Sequence, residues 1–136
     1  MKRTAILFIL PYFILNCNKH ESDNWNVFNW TEGNASYTAT SAEAHSNLLQ
    51  ISARIGDDLR IRISVSSFKV DSYQFPLPIH VFEYYDKSGK WFAGAGTVNI
   101  TANTTGLSGN FSMNLISSTG DSSSTTGTFS NVIVDP

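Results

Sequence analysis

The stretch LQISARIGDDLRIRISV, residues 49–65, reads as two β-strands folded back on each other. Leu59, Ile61, Ile63 and Val65 alternate with Arg60, Arg62 and Ser64, and the run from Leu49 to Ile55 alternates in the same way. A period of two puts every apolar residue of a run on one side of an extended chain. Between the runs, Gly56-Asp57-Asp58 supplies residues that tolerate positive φ, so the pair is a hairpin.

Working outward, the same pattern recurs. Residues 27–30 form a strand, 31–34 a turn and 36–41 a second strand. Residues 41–47, SAEAHSN, read as a linker with room for one helical turn. Residues 73–75 are a short strand ended by Pro76 and Pro78, which cannot donate to a ladder and so favour a sheet edge or a crossover. Residues 80–85 form a strand, 86–89 a turn, 91–93 a short return and 96–102 a further strand. Leu107, Gly109, Phe111, Met113 and Leu115 share one face of the next, over 107–116. A polar loop covers 117–124, and 127–134 closes the chain. About eight to ten short strands joined by tight turns predict an all-β fold, either an antiparallel sandwich or a meander barrel.

GTVNIT (residues 96–101), LSGNFS (107–112) and TGTFSN (126–131), with FNWTEGNASYTA (28–39) near the start, resemble a family of small Bacteroidota lipoproteins of unknown function. The resemblance spans most of residues 25–133. It implies a fold and a location, and carries no activity. The glycines have a physical role of their own. They let neighbouring backbone approach closely, while Phe111 and Phe129 supply core area.

The N-terminus supplies an address. Lys2 and Arg3 precede an apolar run from Ala5 to Leu15, interrupted only by Pro11. Those 11 residues fall short of the roughly 18 to 20 needed to span a bilayer as a helix, so the run reads as a signal h-region. Ile14-Leu15-Asn16-Cys17 resembles a bacterial lipobox, departing from it at Asn16, where Gly, Ala or Ser is usual. Cys17 is the single cysteine in the chain, and the resemblance implies that it is lipidated and begins the mature protein. Residues 1–16 are then a cleaved signal, 17–24 a polar tether and 25–136 one β domain. The lysine and acids after Cys17 (Lys19, Glu21, Asp23) resemble a surface-export signal, interrupted by His20. The expected location is the cell envelope, lipid-anchored in the outer membrane with surface exposure.

Without residues 1–16 the chain has seven Lys and Arg against eleven Asp and Glu, a net charge of −4. No basic cluster suits a phosphate backbone, so nucleic acid is not an expected partner. With one cysteine, no internal disulfide forms. His20, His45 and His80 lack ligand spacing, and neither a metal nor a cofactor is expected. Gly120-Asp121-Ser122 resembles the nucleophile block of one esterase family, but no histidine follows it. Asp57 and Asp58 are turn residues, and nothing promotes Glu83 with Asp86 as a catalytic pair. The Asn-x-Ser/Thr matches at Asn34, Asn99, Asn103 and Asn110 arise by chance in a chain this rich in those residues.

Aromatic side chains carry the binding potential. YYDKSGKWF, residues 84–92, reads as a hairpin with a pair of aromatics on each arm. Neighbours on a strand point to opposite faces. One ring from Tyr84 and Tyr85, and one from Trp91 and Phe92, is therefore expected to avoid the core and offer a surface to a glycan or an envelope protein. The function expected is a non-enzymatic, membrane-anchored accessory or binding lipoprotein. A glycan-binding module of a nutrient-uptake system is the alternative, and a small hydrolase stands behind both.

Overall fold

The computed structural model describes residues 26–136; the leader, Cys17 and the tether lie outside them. The described chain is all-β, with eleven strands and no helix. They are β1 (Val27–Glu32), β2 (Ala35–Thr38), β3 (Ser41–His45), β4 (Gln50–Ile55), β5 (Asp58–Ser64), β6 (Asp71–Phe75), β7 (Val81–Asp86), β8 (Gly89–Ala102), β9 (Leu107–Ser117), β10 (Ser122–Val132) and β11 (Val134–Asp135). They form one sheet in the order β11-β3-β4-β5-β7-β8-β9-β10-β1-β2, with β6 on β8. The sheet curls into a half-barrel, so of the two expected architectures it takes the barrel-like one.

Every pairing is antiparallel except β11 with β3. β10 runs almost directly into β11, which lies at the far end of the strand order. The C-terminal segment therefore bridges the two flanks of the curl. Ala44 N–H donates to Ile133 O at 3.1 Å and Ser46 N–H to Asp135 O at 2.9 Å.

The hairpin of residues 49–65 forms as its pattern demands. Ile51, Ala53, Ile61 and Ile63 are fully buried, with Ile51 opposite Ile63 and Ala53 opposite Ile61. Aromatic rings fill the middle of the half-barrel. Phe28 stacks on Phe129 at 5.7 Å and lies 5.8 Å from Phe111, which in turn meets Phe82 at 5.3 Å.

The two G-x-F segments have a specific geometry. β9 and β10 pair so that Gly109 faces Phe129 and Phe111 faces Gly127. Each ring lies over the glycine of the opposite strand. A Cβ on Gly109 would strike the Asn99 carbonyl of β8 and the Phe129 ring, and one on Gly127 would strike the Phe111 ring and the Asn29 carbonyl of β1. The glycines are thus required by close approach, and the rings refill the space they leave.

Two expectations are corrected. Residues 41–47 hold no helical turn, because Ser41–His45 is strand β3. Ala42 and Ala44 point inward and are buried. β3 lies close to β1 across the curl, and small side chains fit that approach. Alanine's helix propensity is a weak preference that such packing overrides. The strands expected at 91–93 and 96–102 are one 14-residue strand, β8, with a register shift between Ala93 and Ala95. A bulge absorbs the irregularity without breaking the strand.

β6 and β7 both run antiparallel to β8, each pairing with a different half of it. The proline-containing segment between them folds out and returns at His80. That imidazole is buried, with Nδ1 2.8 Å from Gln74 O and Nε2 3.2 Å from Ser66 Oγ. His80 is a fastener for the loops around it.

Candidate ligand-binding pocket

The β7–β8 hairpin divides its aromatics between two faces. Tyr84 pairs with Trp91, and Glu83 with Phe92. Tyr84 points inward and is 2% exposed; Trp91 packs beside it, half-buried, against the core. Phe92 lies on the outer face at 44% exposure, and half-buried Tyr85 shares that face opposite Lys90. The four residues therefore do not build a common platform. They belong to two different surfaces.

On the outer face they surround Glu83. Its carboxylate accepts from Lys90 Nζ at 2.5 Å, from Tyr85 Oη at 2.8 Å and from Arg62 Nη1 at 3.0 Å. The Lys90 ammonium also lies 4.8 Å from the Phe92 ring centre and 5.7 Å from that of Tyr85, within cation–π reach. Burial disfavours the Glu83 anion, but these partners outweigh it and hold the carboxyl below its ordinary value of 4.5. A pKa depressed in the folded state contributes stability above the unfolded value and loses it as pH falls through the folded one. Chemical unfolding midpoints should therefore drop from about pH 4.5 downward, and Glu83→Gln should flatten that acid limb. Acid limbs that superimpose in the two proteins would remove Glu83 from the account. Glu83 is saturated by these three donors and leaves little for a ligand, although the buried Arg62 Nε makes no hydrogen bond.

The inner face offers more at its end beyond Tyr84. Phe28, Trp30 and Glu32 follow one another along the inward phase of β1, so an apolar row ends in a carboxylate. Glu32 Oε2 accepts from Tyr84 Oη at 2.7 Å. Burial, then the bond to Glu32, pushes the Tyr84 phenol well above its ordinary pKa, so it remains a donor. The Trp30 indole N–H is buried and makes no hydrogen bond of standard geometry, yet faces the Tyr84 oxygen closely enough to temper that rise. Tyr37 of β2 stacks on Trp30, rings 5.4 Å apart and 18° from parallel.

These groups line a pocket of about 450 Å³, completed by Arg60, Asp86, Lys87 and Ser88. Asp86 is committed to the turn. Its Oδ1 accepts from Ser88 N, Ser88 Oγ and Gly89 N, and its Oδ2 from Trp91 Nε1 at 3.0 Å. Burial opposes the Asp86 anion, but the bonds from Ser88, Trp91 and Gly89 prevail and lower its pKa. Arg60 Nη1 donates to Tyr85 O at 3.3 Å. Among the described residues, Glu32 Oε1 and Lys87 Nζ make no hydrogen bond, and neither does the buried Arg60 Nε. A second hollow of about 460 Å³ lies over β10, β1 and β2. Part of its lining is internally bonded, Thr31 Oγ1 with Thr126 Oγ1 at 3.0 Å and Thr38 Oγ1 donating to Asn29 Oδ1 at 2.8 Å, and it is the outer surface of a twisted sheet.

Of the four aromatics singled out in sequence, Tyr84 reaches this pocket, Trp91 supports it through Asp86, and Tyr85 and Phe92 do not join it. Glu32, Tyr37 and Arg60 were not expected. The signal for Glu32 was its phase, a charged residue on the apolar side of a strand. No protein-family model matches the chain, and no curated protein or solved structure matches it either.

Proposed function

We propose that this protein is a lipid-tethered domain of the cell envelope that binds its ligand without transforming it. Lipidated Cys17 would hold it to the outer membrane, and the polar residues behind it would let residues 25–136 face outward. The observation that supports binding is the pocket bounded by Glu32, Tyr37 and Tyr84, a concavity within the usual ligand-site range of roughly 300 to 1,000 Å³. Its chemistry favours recognition over hydrolysis. Breaking a glycosidic bond takes two working carboxyl groups. Of the two carboxylates lining the pocket, Asp86 accepts hydrogen bonds on both oxygens, and Glu32 keeps one oxygen without a partner among the described residues.

The tether is tested in cells by feeding a clickable fatty acid. The wild-type protein should take up label and pellet with membranes, and Cys17→Ala should do neither. Persistent label on the variant would end the lipid assignment. The binding half is tested by hydrogen exchange on the full chain with and without isolated cell envelopes. Protection is expected at β1, β2 and the β7–β8 turn, and exchange unchanged there would remove the pocket as a binding site.

A further inference from the structure

The geometry points to a neutral saccharide as the ligand class of the pocket formed by Glu32, Tyr37, Arg60, Tyr84 and Lys87. This rests on the binding role proposed above and names what is bound. The charges around the opening cancel: Glu32 and Asp86 against Arg60 and Lys87. A phosphate-rich or polycationic ligand would meet no net complementary field. What the rim offers instead is a mixture of acceptor and donor, with Glu32 Oε1 on one side and Arg60 and Lys87 on the other. Vicinal hydroxyls of a sugar, each both donor and acceptor, answer that mixture.

The apolar half of the match comes from Tyr37. It stands on β2, at the end of the strand order, so its inward face projects past the packed core and stays half-exposed. Trp30 supports one side of the ring. A ring held in this way presents a preformed, low-entropy surface to the C–H face of a pyranose. The chain from Tyr84 Oη to Glu32 Oε2 holds the carboxylate in direction before any ligand arrives. Preorganisation of donor, acceptor and ring distinguishes this pocket from the outer surface at Phe92, where the Glu83 carboxylate is already engaged by Lys90, Tyr85 and Arg62.

The test uses the full chain, purified in a detergent without a sugar headgroup. Neutral trisaccharides of glucose, mannose, xylose and N-acetylglucosamine are titrated calorimetrically, beside a galacturonate trisaccharide. At least one neutral sugar should bind, and Glu32→Gln should weaken it about tenfold, the worth of one charge-assisted hydrogen bond. Tyr37→Ala should weaken it comparably. Because that ring also supports Trp30, the exposed Lys87→Ala serves as a second variant, with affinity reduced and melting temperature kept. Phe92→Ala should bind as wild type. No neutral sugar bound, binding of galacturonate alone, or binding indifferent to Glu32→Gln and Lys87→Ala would each overturn the sugar assignment. If the envelope footprint persists at the pocket in any of those cases, the binding role stands and only the ligand class falls. If it is absent, both fall.

Discussion

Replacing Phe111 by alanine should cost about 3 to 5 kcal/mol of stability. The ring is 2% exposed and touches three structural neighbours at once. It meets Phe28 and Phe82 at tilts of 37° and 53°, and it covers Gly127. Removing it leaves a void at the middle of the half-barrel that rings fixed by their own strands cannot fill. For a domain of this size the loss corresponds to a melting temperature lower by roughly 10 to 25 °C. Calorimetry of the purified protein measures it. A change below about 1 kcal/mol would mean that the Phe28–Phe82–Phe111–Phe129 cluster is not the centre of the core.

Gly109→Ala should also destabilise, although it adds a single carbon. Alanine in place of glycine usually stabilises a chain, by limiting the unfolded state, wherever the folded backbone has room. Here the new Cβ meets the Asn99 carbonyl, which belongs to the backbone of the next strand, and the tip of the Phe129 ring at 2.6 Å. The ring can swing; the carbonyl cannot move without disturbing the β8–β9 ladder. Overpacking of this kind costs about 1 to 3 kcal/mol. A double-mutant cycle with Phe129→Ala separates the two contacts. The double variant should lose less stability than the two single changes together, with part of the damage remaining because Asn99 is still there. A stable Gly109→Ala protein would show that β8 and β9 lie farther apart at this point.

The fold was legible where side chains alternate in long runs. Residues 49–65 and 107–116 declared strand and buried face together, because burial on one side leaves a period-two trace. Residues 41–47 were illegible for a local reason. Alanine leaves little hydrophobic trace, and its inward position depends on how near β1 comes across the curl, which no local pattern encodes. The pocket was less legible still. Tyr84 and Trp91 stood out as bulky neighbours, but their inward direction depended on which phase of β7 faced the core. Tyr37 and Arg60 come from strands that sequence separation keeps apart and curvature brings together. Glu32 was the exception. Its position in step with Phe28 and Trp30 marked it, had the run been followed to its end.

The crossed glycine and phenylalanine positions of β9 and β10 also tell the chain when it has paired wrongly. In the native alignment each ring faces a glycine. Slide one strand by two residues in one direction and Phe111 faces Phe129, two rings where one fits. Slide it two the other way and Gly109 faces Gly127, with an empty space between them. Both errors keep the same side chains facing inward, so hydrophobicity alone would accept either. Shape rejects both. A chain whose polar, serine- and threonine-rich strands carry few other landmarks thus has a built-in misalignment detector.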